Sequence, residues 1–183
     1  MKLIILDRDG VINFDSDAFI KSPEEWHPIP GSLEAIAKLN QAGFNVLVVS
    51  NQSGIARQYF DEAMLSLIHE KFQKLLAEKG GTVEAIFYCP HGPDDHCDCR
   101  KPKAGLFHQI EKQYQANLAG VFAVGDSWRD LEAAMTVHAQ PVLVLTGKGE
   151  QTKAAHSQEL LEKQIPIFNN LADFTQTLLS PQT

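Results

Sequence analysis

A chain of 183 residues, with 44% hydrophobic and 21% charged side chains, can bury a core and is not a disordered polymer. Its net charge of −7, with no dense Lys/Arg run, argues against a nucleic-acid partner, while a small anionic substrate held by local cations remains open. The apolar stretch around Leu3–Leu6 is too short for a secretion signal, and no run approaches the roughly 20 residues of a membrane span. The expectation is one domain over residues 1–183, in the cytoplasm, with no membrane partner.

In chain order, Leu3–Leu6 reads as a strand ending in Asp7-Arg8-Asp9-Gly10. Pro30-Gly31-Ser32 starts a helix in which Leu33, Ile36, Ala37 and Asn40 keep a helical period until Gly43. Phe44–Val49, rich in Val, is a second strand and leads into Ser50-Asn51-Gln52-Ser53-Gly54. Asp61 can cap a long helix with Ala63, Leu67, Ile68, Phe72, Leu75 and Leu76 as its apolar face. Val83–Tyr88 is a third strand, and Gly105–Tyr114 is helical. Val121–Val124 is a fourth strand, running into Gly125-Asp126-Ser127 and a short helix over Ser127–Met135. Pro141–Leu145 is a fifth strand, and Glu150–Lys163 and Leu171–Leu179 are helices on either side of a short strand at Ile165–Phe168. Strands alternating with helices imply βαβ units in a mainly parallel sheet covered on both faces, a three-layer α/β/α architecture. Ligands of such sheets bind beyond the C-terminal strand ends, where this chain carries polar groups each time.

Asp7 and Asp9 alone could cap a turn. Asp126, delivered by another strand, changes that: carboxylates brought together repel unless protonated or paired with a cation. A few oxygen ligands suit Mg²⁺, which keeps waters and takes phosphate oxygens. The segment from Ser50 to Ser53 offers a hydroxyl and backbone N–H groups as a phosphate cradle, and Arg100 and Lys101 add positive charge. Together these are the parts of a phosphoryl-transfer site.

All three cysteines lie within residues 89–99, beside His91 and His96. An odd count in a cytoplasmic chain argues for thiolates or a metal rather than a disulfide framework. Cys89, His91, Cys97 and Cys99 form a structural zinc set, and a short polar loop without a core needs such a constraint. A Cys97-x-Cys99 redox pair is an alternative. His96 competes with His91 as the fourth ligand, though Cys89-x-His91 turns two ligands toward one point more easily than His96, which abuts Cys97.

DRDGV, VVSNQSG, the Lys of CRKP and GDSWRD resemble, in order and over nearly the whole chain, the four motifs of the haloacid dehalogenase (HAD) superfamily of phosphatases. The resemblance implies that Asp7 attacks phosphorus to form an aspartyl-phosphate, and that Asp9 serves as general acid and then base. It implies Mg²⁺ held by Asp7, the Asp9 carbonyl and Asp126, with Ser50 and Lys101 neutralising the phosphoryl oxygens and Asp130 orienting Lys101 or a metal-bound water. The C-x-H…C-x-C loop running into CRKP is similar to a capless branch. That branch holds the D-glycero-D-manno-heptose 1,7-bisphosphate phosphatases and the histidinol-phosphatase domains. By that resemblance Asp15, Ser16, Asp17 and Ala18 line the sugar side, and Ser50, Asn51, Gln52 and Ser53 bind phosphate and substrate. Arg100, beside Lys101, grips the distal phosphate through its planar fork.

Two features depart from the branch: the His91–Cys97 spacing is short, and Ser127-Trp128 follows Asp126 where some members carry Lys. The implied function is a monomeric, Mg²⁺-dependent phosphatase with structural zinc, acting on a heptose 1,7-bisphosphate for lipopolysaccharide or a related glycoconjugate. Histidinol phosphate is the alternative substrate, and a non-catalytic zinc-stabilised module the third reading. Trp26-His27 is expected to cover the site and His69 to be solvated or structural; Arg57 and Tyr59 follow the phosphate loop within reach of substrate, but are expected foremost to be surface or helix-entry residues.

Overall fold

The computed structural model describes residues 1–181, so the last two residues of the expected 1–183 span lie outside the described residues. Its strands are β1 (Lys2–Leu6), β2 (Phe44–Asn51), β3 (Ala85–Cys89), β4 (Phe122–Gly125), β5 (Gln140–Val144) and β6 (Ile167–Phe168). They form one parallel sheet in the order β3-β2-β1-β4-β5-β6. The chain runs outward from β1 to β3, then returns to the far side of β1 with β4. That reversal opens a crevice between the C-terminal ends of β1 and β4. Leu6 is in register with Val124, and the Asp7 N–H extends the ladder to the Val124 carbonyl at 2.9 Å. Asp7 and Asp126 therefore emerge side by side.

Alternation along the strands builds the two outer layers. Ile4, Leu6, Val46 and Val48 face α1 (Ser32–Gln41), α2 (Glu62–Glu78) and α7 (Leu171–Leu179). Leu3, Ile5, Leu47 and Val49 face α3 (Gly105–Tyr114) and α4 (Trp128–Thr136). Each such aliphatic side chain, fully buried, contributes about 1.5–3 kcal/mol.

Three expectations need correcting. The buried stripe of α2 is Leu65, Ile68, Phe72 and Leu76; Ala63 faces water and Leu67 is 47% exposed. Spacings of three and four residues keep Leu65 in line with Ile68 and Phe72, and Leu67 falls off that line. The helix expected over Glu150–Lys163 is two helices, α5 (Gly149–Ala155) and α6 (Ser157–Glu162). It breaks at His156, whose ring stacks on Trp128 with centroids 4.3 Å apart. Trp26 does not cover the site: it is fully buried against Phe72, and Lys71 Nζ pins its segment by donating to the Pro23 and Trp26 carbonyls at 2.6 and 2.8 Å. No helix among the described residues is long and apolar enough to cross a membrane.

Candidate active site

Lys101 is the hub of the crevice. Its Nζ donates to Asp7 Oδ1 at 3.0 Å, to Asp130 Oδ1 at 2.8 Å and to the Val49 carbonyl at 2.8 Å. Burial opposes its charge, but Asp130 and Asp7 outweigh burial and hold the ammonium charged above the usual lysine range. Asn51 fixes the backbone behind it: Asn51 Nδ2 donates to the Lys101 carbonyl at 3.1 Å, and the Lys101 N–H donates to Asn51 Oδ1 at 3.0 Å. Asp130 is held in turn by the cap of α4, where its Oδ2 accepts from the Asp126 N–H, the Ser127 N–H and the Ser127 hydroxyl at 3.2, 3.1 and 3.0 Å. Burial works against its ionisation, yet Lys101 and Ser127 keep its carboxyl below the usual range.

Asp9 sits in a separate network. Arg8, only 1% exposed, donates from Nε and Nη2 to Asp9 Oδ1 at 3.1 and 2.9 Å. Asn13 Nδ2 adds a bond to Oδ1 at 2.9 Å, and Gln52 Nε2 one to Oδ2 at 3.0 Å. Burial alone would raise this carboxyl, but Arg8, Asn13 and Gln52 bring it below its ordinary value. Arg8 Nη1 lies 3.1 Å from His69 Nε2. Arginine only donates, so His69 accepts as a neutral ring. Burial first, and Arg8 second, depress its pKa to about 3.

Ligand atoms of Asp7, Asp126 and Asp130 lie within 4.8 Å of one another. Lys148 N–H donates to Asp126 Oδ2 at 2.8 Å, and Thr152 Oγ1 donates to the Asp126 carbonyl at 2.8 Å. Gly10 and Gly147, both at positive φ, are required here because a Cβ on either would overlap Asp126 Oδ2. Burial first, then Asp130, push Asp7 up to about 7 despite Lys101. Burial, then Asp130 and Asp7, push Asp126 up to about 9. The Asp9 carbonyl accepts no hydrogen bond among the described residues. Crowded carboxylates with a spare carbonyl are a donor set that fits a hard divalent cation such as Mg²⁺.

The signs give a test. Asp7 and Asp126 bind protons more tightly folded than unfolded. Their contribution to the metal-free fold is therefore intact below their ordinary value of 3.8 and is lost as pH rises through about 7 and then about 9. Mg²⁺ competes with those protons, so the increase in Tm on adding it should grow between about pH 6 and about pH 9. Scanning calorimetry with and without Mg²⁺ reads this directly; an increase of equal size at both ends contradicts carboxylate-held metal.

A cavity of about 210 Å³ opens above the cluster. Asp7, Asp9, Asp126 and Lys101 line it, as do Asp15, Ser16, Asp17, Asn51, Gln52, Ser53 and Arg100. Two expected residues do not. Ser50 is fully buried, its oxygen accepting from Gln52 Nε2 at 2.7 Å, and Ala18 lies outside the lining, its N–H donating to Ser16 Oγ at 3.1 Å. The sequence did not mark Asn13, Arg129 or Lys148, nor the role of Arg8; Arg57 is exposed, and its place after the phosphate loop brings it into the lining. Arg129 stood inside the GDSWRD segment. Lys148 follows β5, so the strand-end rule, carried one strand further, reaches it.

Below Arg100, the ligand atoms of Cys89, His91, Cys97 and Cys99 form a second compact group, all within 4.8 Å, and the three thiols are free. Cys89 Sγ lies 3.5 Å from His91 Nδ1 and 3.6 Å from Cys97 Sγ, and His91 Nδ1 lies 3.4 Å from Cys99 Sγ. Edges of a tetrahedron with 2.3 Å bonds are roughly 3.8 Å; these three separations approach that of a four-coordinate soft metal, while Cys99 Sγ lies closer, 2.8 Å from Cys89 Sγ. His96 is not in the group. Burial pushes the Cys89 thiol up, whereas the Arg100 N–H and the Cys89 thiol bring Cys97 down to about 7 against burial.

Known proteins show the same arrangement of chain and fold. Residues 98–174 match the family model described as "HAD-hyrolase-like". The chain is 57% identical to the D-glycero-beta-D-manno-heptose-1,7-bisphosphate 7-phosphatase of Pseudomonas putida, over 98% of this chain and 100% of the relative. It is 59% identical to the enzyme of that name from Bordetella bronchiseptica, over 98% of each chain. The chain belongs to this family of HAD-like phosphatases. A crystal structure of the family's D,D-heptose 1,7-bisphosphate phosphatase from B. bronchiseptica, complexed with magnesium and phosphate, matches with TM-score 0.94 and 54% identity, covering 98% of both chains. The corresponding Burkholderia thailandensis structure matches with TM-score 0.77 and 40% identity, covering 99% of this chain and 100% of that one.

Proposed function

We propose that this chain hydrolyses the 7-phosphate of D-glycero-D-manno-heptose 1,7-bisphosphate, leaving the 1-phosphate, as a Mg²⁺-dependent monomer in the cytoplasm that serves heptose supply for lipopolysaccharide. The observation that carries the chemistry is the buried Lys101 ammonium bridging Asp7 and Asp130, with Asp126 alongside, at the mouth of β1 and β4. Relatives at 57 and 59% identity bear the name heptose-1,7-bisphosphate 7-phosphatase, which supports the sugar.

Asp7, the Asp9 carbonyl and Asp126 would hold Mg²⁺, which when bound supplies Lewis-acid stabilisation to the phosphoryl oxygens. Asp7, steered by Lys101, attacks phosphorus, and the sugar oxygen leaves. Asp9 delivers a proton to that oxygen, then takes one from the water that cleaves the aspartyl-phosphate. In the structure Arg8, Asn13 and Gln52 hold Asp9 as a carboxylate, the form that acts as base; its acid form arises when those bonds loosen. Comparing the heptose bisphosphate with histidinol phosphate under saturating Mg²⁺ tests the reading. We expect kcat/KM at least ~100-fold higher for the bisphosphate, since a site built for a second anion leaves cations unpaired without it. Equal or better turnover of histidinol phosphate overturns it.

In this account Cys89, His91, Cys97 and Cys99 hold structural zinc. Elemental analysis should find about one equivalent per chain, lost in Cys97→Ser, because three ligands cannot complete the closed tetrahedral set. Freshly purified protein without zinc contradicts the assignment.

A further inference from the structure

At the floor of the cavity Asp7, Asp9 and Asp130 are paired with cations, whereas the arginines of one rim have no paired anion. Arg57 comes from the loop after β2, Arg100 directly follows the last cysteine, and Arg129 lies in the first turn of α4, yet all three line the same cavity. None has a carboxylate within ion-pairing distance among the described residues, although the chain carries 23 acidic residues against 16 Lys and Arg. By contrast, Arg8 is paired with Asp9, and Lys101 with Asp7 and Asp130. The Arg100 side chain makes only one long hydrogen bond, from Nη1 to the His91 carbonyl at 3.5 Å. Arg100 and Arg129 also share the wall of a neighbouring cavity of about 320 Å³ under the cysteine loop, so the two guanidiniums stand together. Burial, then Arg129, then Arg57, lower the pKa of Arg100. Adjacent, half-buried guanidiniums repel one another, and an anion between them removes that cost.

We infer that Arg129 joins Arg100 in a clamp for the second phosphate of the substrate, and that this clamp selects bisphosphates over singly phosphorylated amines. The inference rests on the sugar-bisphosphate reading above. Two planar forks present paired donors that match phosphate oxygens, and they repel an ammonium group in the same place. In the reading above the reacting phosphate meets Asp7 and Lys101 instead, so removing the clamp acts on selectivity.

The test is kcat/KM for wild type, Arg129→Ala and Arg129→Lys on heptose 1,7-bisphosphate and on p-nitrophenyl phosphate, with melting curves for each. In Arg129→Ala the ratio of the two values should fall about 10- to 100-fold, mainly through KM for the bisphosphate. Arg129→Lys, which keeps the charge, should melt as wild type and recover part of it. An unchanged ratio in Arg129→Ala, or losses of equal size on both substrates, overturns the clamp alone. A wild type that cleaves p-nitrophenyl phosphate but not the bisphosphate overturns the substrate reading and the clamp with it.

Discussion

Asp7→Asn should lower turnover by on the order of 10⁴-fold or more while the fold persists. The amide cannot attack phosphorus, and it removes one negative charge from the set that would hold Mg²⁺. The substitution preserves shape, so packing against β4 is unchanged. Stability carries a second signature. Burial and Asp130 raise Asp7 to about 7, so at pH above that value the ionised carboxylate costs stability in the metal-free protein. Asn resembles the protonated acid. Metal-free Asp7→Asn should therefore melt no lower than wild type at about pH 8, and Mg²⁺ should raise its Tm less. Wild-type hydrolysis by this variant, measured as phosphate release, contradicts the nucleophile assignment.

Lys101→Met should damage both activity and stability. The ammonium is the shared partner of Asp7 and Asp130, both within 3.0 Å, and it is only 3% exposed. Removing one partner of a buried ionic cluster costs about 3–5 kcal/mol, because the remaining charges are uncompensated. The loss should grow as pH rises, since Lys101 is what holds Asp130 below the usual carboxylate range; near pH 4 protonation of the carboxylates relieves it. Lys101→Arg should not restore turnover, because the socket formed by Asp7, Asp130 and the Val49 carbonyl takes a compact ammonium rather than a planar fork. Urea unfolding at two pH values, with phosphate-release assays, measures both effects; a variant as stable as wild type at about pH 8 contradicts the hub role.

The strands and the strand-end residues were readable because both follow local rules. Val-rich runs bounded by Gly and Asp mark buried parallel strands, and a parallel sheet forces their ends to one edge. That is why Asp7 and Asp126 could be grouped from the sequence, whereas Lys101, beyond the cysteine loop, joined them through its charge and the resemblance of CRKP to a family motif. What stayed hidden depends on contacts distant in sequence. Arg8 was visible only as one residue of the strand-end segment, and its burial against His69 of α2 is what makes it the partner of Asp9. Trp26 looked like a lid and is core, because Lys71 ties its segment to α2. The face of α2 was misjudged because Leu67 is apolar yet off the stripe, and at the break the His156 ring stacks on Trp128 of another helix, a contact distant in sequence. Ser50 was expected to face the substrate; in the structure its hydroxyl is buried beside Gln52, one bond away from the cavity lining.

The account stands most directly on which phosphate leaves. Phosphorus NMR of D-glycero-β-D-manno-heptose 1,7-bisphosphate incubated with the protein and Mg²⁺ separates the products. The account predicts inorganic phosphate and the heptose 1-phosphate as the only products, with none formed when Mg²⁺ is chelated. Accumulation of the 7-phosphate, or an intact bisphosphate in the presence of Mg²⁺, would contradict it.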